Sequence, residues 1–142
     1  MQEDSGIFTI TPPDMQLNID GPSITVISKN KDLIQEIEDA HESLFKSVSV
    51  NIYHPNGDVK ESNLAWCLSV MRLSDTVFVD LDTVNELGIL TAIVSGSNLA
   101  WIEGKHRTEV VKLFNSDKNG FPIYPDVKTY MDIMLSRISD YL

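Results

Sequence analysis

The sequence predicts one α/β domain built on a mainly parallel sheet, and three observations support this prediction. A chain of 142 residues is close to the usual size of one domain and can bury a core without disulfides. Hydrophobic residues make up 42% of the chain and charged residues 23%, which is typical of a globular protein rather than a disordered one. From Ser23 onwards, short β-branched runs alternate with segments whose apolar residues recur at helical spacing.

The first 22 residues differ from the rest and are interpreted as an acidic extension of a single domain that spans residues 23–142. The extension carries four acidic residues, the Pro12-Pro13 pair and a Gly21-Pro22 turn signal. Within it, residues 7–11 alternate well enough to form a short edge strand. A mobile arm or an intermolecular contact is an equal alternative for this segment.

The first two strand and helix units have clear signatures. Residues 24–27 form a β-branched run typical of a buried strand, and residues 33–45 carry an apolar stripe at helical spacing among acidic residues. Residues 48–53 indicate a second strand, which the turn-forming Asn56-Gly57 pair follows. Residues 64–71 repeat apolar side chains at three- and four-residue steps and predict a second amphipathic helix.

The second half of the chain continues this rhythm. The expected elements are, in chain order, a strand at 76–81, a helix at 85–94, a strand at 98–102, a helix at 106–114, a short strand at 121–124 and a helix at 127–141. Helical crossovers return the chain with right-handed geometry, so the five strands favour a parallel sheet in the order 2-1-3-4-5. With helices on both faces, this is the three-layer α/β/α arrangement of flavodoxin-like proteins.

Charge and cysteine content limit the classes of function. The single cysteine, Cys67, cannot form an internal disulfide, and the N-terminus lacks a secretory signal, so we expect a cytoplasmic protein. No apolar stretch reaches the roughly 18 to 20 residues that span a bilayer, so no membrane partner is expected. The formal net charge of −10 argues against binding of duplex nucleic acid, whereas a small phosphorylated ligand is compatible with it.

The predicted strand order places the functional site in the crevice beyond the carboxyl ends of strands one and three. The candidate catalytic residues are the carboxylates Asp80, Asp82 and Glu86. The candidate ligand-binding residues are Ser28, Lys29, Asn30 and Asn85. Carboxylates at a strand end can hold sugar hydroxyls or act as acid and nucleophile.

Several of these residues also have structural interpretations. Asp82 or Thr83 can cap the third helix, and Thr83 and Glu86 match the spacing of a capping box. Asn30 or Lys31 can equally begin the first helix on a solvated face.

Other side chains and motifs give little support for a metal or a cofactor. His41, His54 and His106 show no metal-ligand spacing, so no metal is expected. No glycine-rich phosphate loop is present, so neither an NTPase nor a dinucleotide enzyme is supported, and no cofactor is expected. Cys67 lies on the apolar stripe of the second helix and is interpreted as a core residue rather than a nucleophile.

A run of residues around the third strand carries a family resemblance. Ser74-Asp75-Thr76-Val77-Phe78-Val79-Asp80-Leu81-Asp82 is followed by Asn85-Glu86-Leu87-Gly88. This order resembles the nucleoside 2-deoxyribosyltransferase-like superfamily, which shows an Asp-led hydrophobic strand, an acidic loop and then Glu-Ile-Gly or Glu-Leu-Gly at the start of a helix. The similarity extends over residues 23–142. The chain as a whole also resembles small accessory proteins of large tailed phages.

The resemblance implies a domain that binds a nucleoside or nucleotide and transfers or hydrolyses an N-glycosidic bond. It assigns the nucleophile to Glu86 and the orientation of the sugar, or protonation of the leaving group, to Asp80 or Asp82. It also implies a homo-oligomer, because enzymes of this family complete their sites across subunits.

The chain departs from the family pattern at two places, which leaves other functions open. Ser28-Lys29-Asn30 replaces a Gly-Pro-type turn, and Thr83-Val84-Asn85 replaces a glycine-rich lead-in to the glutamate. The alternative is a non-catalytic domain that binds a nucleotide or a protein partner through the same crevice or through residues 1–22. A phosphate-responsive receiver-like domain is a third hypothesis, for which the acidic pair after strand one is missing.

Overall fold

The structure, a computed structural model, describes residues 7–12, 22–44, 50–114 and 123–139, and this part of the chain contains six strands and five α-helices. The strands are β1 (Ile7–Ile10), β2 (Ser23–Ile27), β3 (Val50–Tyr53), β4 (Thr76–Asp80), β5 (Leu99–Ile102) and β6 (Ile123–Tyr124). The helices are α1 (Lys31–Leu44), α2 (Leu64–Leu73), α3 (Glu86–Ser95), α4 (Arg107–Phe114) and α5 (Val127–Ser139). The 3-10 turn Glu61–Asn63 leads into α2.

The strands form one parallel sheet in the order β1-β3-β2-β4-β5-β6. The predicted count of five was wrong, because residues 7–10 add a sixth strand at the edge, where Ile10 pairs with Tyr53 of β3. The predicted order is corrected accordingly, although β2 to β6 neighbour one another as expected. The added strand satisfies backbone groups of β3 that would otherwise form an open edge, and the Ile10 side chain packs against the core.

The helices cover both faces of the sheet, which gives a three-layer α/β arrangement. Alternation along β4 shows the two faces, because Phe78 belongs to one hydrophobic cluster whereas Val77 and Val79 belong to the other. The Phe78 cluster includes side chains of α1 and α5, and the second cluster includes side chains of α2, α3 and α4. Each fully buried aliphatic or aromatic side chain contributes about 1.5 to 3 kcal/mol.

The ends of several expected elements fall outside the described residues. The end of the expected first helix and the start of the expected second strand lie within residues 45–49, which are outside the described part. The start of the expected fifth strand, at 121–122, and the end of the expected last helix, at 140–141, lie outside it as well. Most of the acidic extension, at residues 1–6 and 13–21, lies outside it too.

Cys67 is a core residue, as predicted. Its side chain is fully buried in the cluster beneath α2. Burial raises the pKa of the Cys67 thiol to about 11, so the thiolate needed for nucleophilic attack is scarce at neutral pH.

His41 makes the stability of the fold sensitive to acid. Its ring lies edge-on to Phe78 with the ring centroids 6.5 Å apart, and burial lowers the pKa of His41 from 6.5 to about 4. Between these two values the unfolded chain binds the proton more readily than the folded chain. The stability contributed by neutral His41 is therefore complete above pH 6.5 and is lost as the pH falls towards 4, by at most about 3 kcal/mol.

We expect His41→Leu to lose less stability than wild type between pH 6.5 and pH 4. Urea unfolding at both pH values measures this difference, and carboxylates that titrate in the same range affect both proteins alike. Ser43→Leu, at an exposed position of the same helix that carries no titrating group, is the control and should keep the acid sensitivity of wild type. An equal loss of stability in His41→Leu and wild type would contradict the assignment to His41.

Candidate functional site

The crevice lies where the loops after β2 and β4 meet. The two strands pair directly, with Ile27 opposite Val79 near their carboxyl ends. From there α1 continues on one face of the sheet and α3 on the other. Neighbouring parallel strands whose connections leave in opposite directions open a crevice for ligands beyond their carboxyl ends.

Asp80, at the end of β4, holds the two loops together. Its side chain is buried, and its Oδ2 accepts hydrogen bonds from Ser28 Oγ at 2.7 Å and Thr83 Oγ1 at 2.9 Å. Its Oδ1 accepts a hydrogen bond from the backbone N–H of Asp82 at 3.0 Å. These three hydrogen bonds offset the cost of burying a carboxylate. This candidate catalytic residue thus lies at the predicted place, with its oxygens engaged in holding the loops.

The loop after β2 is ordered by the same network. The Thr83 hydroxyl accepts a hydrogen bond from the backbone N–H of Lys29 at 2.9 Å, and Ser28 Oγ accepts one from the backbone N–H of Asn30 at 2.9 Å. Asn30 Oδ1 in turn accepts a hydrogen bond from the backbone N–H of Asp32 at 3.0 Å, in the first turn of α1. Ser28 and Asn30 therefore have structural partners, and Lys29 lies at the edge of the crevice.

The N-cap of α3 is Asn85, so the predicted cap at Asp82 or Thr83 was wrong. Asn85 Oδ1 accepts a hydrogen bond from the backbone N–H of Gly88 at 3.2 Å, and Asn85 Nδ2 donates one to the carbonyl oxygen of Val59 at 2.8 Å. The Thr83 hydroxyl donates instead to Asp80, so it is directed away from the helix. Asn85, a candidate ligand-binding residue, lies at the crevice, and its side-chain amide is hydrogen-bonded to the backbone of Val59 and Gly88.

Close packing accounts for the glycine of the Glu-Leu-Gly sequence. A Cβ atom at Gly88 would lie 2.7 Å from Cγ2 of Val84 and 3.0 Å from Oδ1 of Asn85, the capping oxygen. A larger residue would push the cap away from the helix. Packing against Val84 and Asn85 therefore explains the presence of glycine at position 88 without any catalytic role.

An open cavity of about 370 Å³ lies between the loops after β2, β4 and β5. The residues that line it are Lys29, Asp82, Thr83, Val84, Asn85, Lys105 and His106. Lys105 was not predicted from the sequence to line the site, and His106 was considered there only as a metal ligand. The strand order could have indicated both residues. Because β5 is parallel to β4 and next to it, the loop that follows β5 must reach the same edge of the sheet as the loop that follows β4.

A glycine brings the loop after β5 against the loop after β4. A Cβ atom at Gly104 would lie 2.1 Å from the backbone nitrogen of Asp82 and 2.3 Å from the carbonyl carbon of Leu81. Such an approach is possible only without a side chain. Two residues on, the backbone N–H of His106 donates a hydrogen bond to the carbonyl oxygen of Leu81 at 2.8 Å. This contact places Lys105 and His106 beside Asp82.

The cleft is locally basic in a chain whose formal net charge is −10. Two lysines and one histidine line it, against the single carboxylate of Asp82. Lys29 Nζ lies 2.9 Å from Asp58 Oδ1, but the lysine side chain is 49% exposed. The Asp58 side chain is 35% exposed, and such a partly exposed pair contributes about 1 kcal/mol, so a ligand phosphate can compete for the lysine. Among the ion pairs of the described residues, none involves Lys105.

Glu86 lies apart from this cleft. It is the exposed first residue of α3 and lines a separate depression of about 430 Å³ between α3 and α4. The depression is also lined by Ile89, Leu90, Glu109 and Lys112. The structure therefore brings Ser28, Asp80 and Asp82 together around the crevice. It places Glu86, the candidate nucleophile, in the separate depression between α3 and α4.

The described residues contain no group of three or more histidine, cysteine or acidic side chains that could hold a metal ion. In the same part of the chain, no helix has the length and apolar character needed to cross a membrane. Comparison with protein-family models, curated proteins and solved structures finds no match. The resemblance to the nucleoside 2-deoxyribosyltransferase-like superfamily therefore stays a prediction from the residues.

Proposed function

We propose that this domain binds a small phosphorylated nucleoside in the cleft between the loops after β2, β4 and β5. The observation that supports this most is the presence of two lysines, Lys29 and Lys105, in the lining of the cleft of an otherwise acidic chain. A volume of about 370 Å³ suits a small ligand. Its position at the reversal of strand order is where α/β sheets commonly bind nucleotides.

In this proposal each part of the ligand meets a different part of the lining. The phosphate pairs with the ammonium groups of Lys105 and Lys29, which are compact and exposed cations. Asp82 accepts hydrogen bonds from the sugar hydroxyls. Asp80 touches no part of the ligand and acts as a positioning residue through its bonds to Ser28 and Thr83.

Calorimetric titration tests this proposal with nucleosides, the matching 5′-monophosphates and inorganic phosphate. We expect the monophosphates to bind more tightly than the nucleosides, because only they pair with the lysines. Lys105→Gln should weaken monophosphate binding about tenfold, the effect of one charge-assisted hydrogen bond. The matched control is Lys128→Gln, which removes an exposed lysine from the distant groove between α1 and α5.

Two results would refute the proposal. One is the absence of binding by every compound in the panel at millimolar concentration. The other is an equal effect of Lys105→Gln and Lys128→Gln, since only a nonspecific attraction to positive charge would respond to both.

A second candidate function is cleavage or transfer of an N-glycosidic bond. The observation that favours it is that Glu86 and Glu109 line the same depression, since glycosidic chemistry commonly uses two carboxyl groups. Glu86 as nucleophile would form an ester bond to the anomeric carbon as the bond to the base breaks. A second carboxyl group would protonate the leaving base, and water or another base would then take the sugar.

Chromatographic assay of free base, after incubation with deoxynucleosides, separates the two functions. A glycosidic enzyme should release base in the wild type and lose this activity in Glu86→Gln, which keeps the size of the side chain. Binding in the cleft without any release of base would exclude the second candidate and leave the first.

A further inference from the structure

The histidine of the cleft, His106, has no role in the proposed binding of the ligand, yet the structure holds it in a defined position. Its backbone N–H donates a hydrogen bond to the carbonyl oxygen of Leu81 at 2.8 Å, and its carbonyl oxygen accepts one from the backbone N–H of Val110 at 3.4 Å. Val110 is fully buried, so the first turn of α4 is anchored in the core. His106 is therefore fixed between the segment that follows β4 and the start of α4.

A carboxylate in the first turn of α4 orients the imidazole ring. Glu109 lies three residues after His106, which brings the two side chains to the same side of the helix start. His106 Nδ1 lies 2.8 Å from Glu109 Oε1. Because an ionised carboxylate can only accept hydrogen bonds, Nδ1 carries the proton in this contact. The neutral ring then keeps its lone pair on the other nitrogen, Nε2.

The Nε2 atom of His106 is available to a ligand. Within the described ranges of the chain, the ring of His106 bonds only through Nδ1. Nε2 is also absent from the buried side-chain atoms that lack a partner, so solvent reaches it. The side chain is 28% exposed and lines the cleft together with Lys29 and Lys105. A nitrogen with a free lone pair thus belongs to the same lining as the two lysines that bind the phosphate in the proposed function.

We infer that the cleft also hydrolyses phosphate monoesters with His106 Nε2 as the nucleophile, and this inference rests on the proposed binding of a phosphorylated nucleoside. Nε2 attacks the phosphorus atom, so a P–N bond forms while the bond from phosphorus to the sugar oxygen breaks. The sugar oxygen takes a proton from water and leaves hydroxide. A second water molecule then attacks phosphorus and breaks the P–N bond, which restores neutral His106. Its proton goes to the hydroxide, so the products are the nucleoside and inorganic phosphate.

Glu109 and the lysines compensate the charges in this reaction. Attack through Nε2 makes the ring positive while Nδ1 still carries its proton, and the Glu109 carboxylate lies 2.8 Å from that nitrogen. Glu109 does not touch the ligand and is a positioning residue, because it acts through the ring. Lys29 and Lys105 neutralise the phosphate oxygens, as cationic groups do in phosphoryl transfer.

Release of inorganic phosphate from adenosine, guanosine, cytidine and uridine 5′-monophosphates tests this activity. His106→Ala should lower kcat by at least about a hundredfold, and imidazole added to the solution should restore part of it by supplying the lost nitrogen. Glu109→Gln should lower kcat about tenfold with KM unchanged, because the carboxylate acts on the charged ring rather than on binding. The matched control is Glu103→Gln, at an exposed carboxylate of the same loop that does not line the cleft. Circular dichroism checks that each variant is folded.

Intact-mass spectrometry after an alkaline quench detects the covalent intermediate, because base preserves the P–N bond that acid breaks. Wild type should gain one phosphoryl group, and His106→Ala should gain none. Monophosphate binding without phosphate release would overturn this inference and leave the proposed function standing, whereas the absence of binding would overturn both. Phosphate release without a phosphoryl group on His106, or equal release by wild type and His106→Ala, would overturn the role of Nε2. Equal kcat values of Glu109→Gln and Glu103→Gln would overturn the role of Glu109.

Discussion

Gly104→Ala is expected to destabilise the domain by about 3 kcal/mol and to lower its melting temperature by about 10 °C. The reason is the backbone of the neighbouring loop, which a Cβ atom would approach to 2.1 Å at Asp82 N and 2.3 Å at Leu81 C. A flexible side chain could move aside, but these atoms belong to a segment that extends β4. Leu81 is fully buried, and its backbone N–H donates a hydrogen bond to the carbonyl oxygen of Ile102 in β5, so this segment cannot shift easily. The added methyl group must therefore push the two loops apart.

Thermal and urea unfolding measure the effect of Gly104→Ala on stability. Its neighbour Glu103 provides the matched control, because this side chain is exposed and its ion pair with Arg107 is exposed too. Glu103→Ala should change the free energy of unfolding by less than about 0.5 kcal/mol. A melting temperature of Gly104→Ala equal to that of wild type would show that the loops pack differently.

The core strands could be predicted from the sequence because buried parallel strands leave a local signature. Short β-branched runs at residues 24–27 and 76–81 lie between segments with helical spacing, and no distant contact is needed to recognise them. β1 is different, because its four residues are a strand only through pairing with β3. Alternation within residues 7–11 therefore could not decide between an arm and a strand.

The place of the candidate site followed from the strand order, but the roles of its side chains did not. The sequence predicts that Asp80 and Thr83 lie at the crevice. The capping-box spacing, however, pairs Thr83 with Glu86, whereas the structure pairs it with Asp80. The turn after β4 determines the direction of the Thr83 side chain, because the backbone N–H groups of Thr83 and Val84 both donate hydrogen bonds to the carbonyl oxygen of Asp80. This turn directs the Thr83 hydroxyl back to the Asp80 carboxylate and leaves the cap to Asn85.

The contribution of the loop after β5 depends on contacts that are distant in sequence. Gly104 lies 22 positions after Asp82 and meets it only because β4 and β5 are neighbours in the sheet. Local sequence patterns cannot indicate this contact between Gly104 and Asp82. The predicted strand order brings the loop after β5 to the same edge of the sheet, but only the structure shows that Lys105 and His106 line the cleft.

Asp80→Ala is expected to cost about 3 to 4 kcal/mol of stability, more than the replacement of any exposed carboxylate. The change removes the acceptor of two hydroxyl hydrogen bonds, from Ser28 and Thr83, and of the backbone N–H of Asp82. Because Ser28 is buried too, its hydroxyl cannot turn to water without a shift of the loop. Urea unfolding measures this loss, and Asp82→Ala, at an exposed carboxylate, is the control with an expected change below about 0.5 kcal/mol.

A double-mutant cycle with Ser28→Ala distinguishes a structural role of Asp80 from a purely chemical one. If the carboxylate holds the loops together, the two substitutions should be coupled by about 1 to 2 kcal/mol, because each removes one end of the same 2.7 Å hydrogen bond. A residue kept only for chemistry would show additive and small effects on unfolding. The same variants should weaken ligand binding in the cleft, since the network that includes Thr83 also holds the backbone of Lys29. Strong coupling in unfolding with unchanged binding would separate the stability of the loops from the function of the cleft.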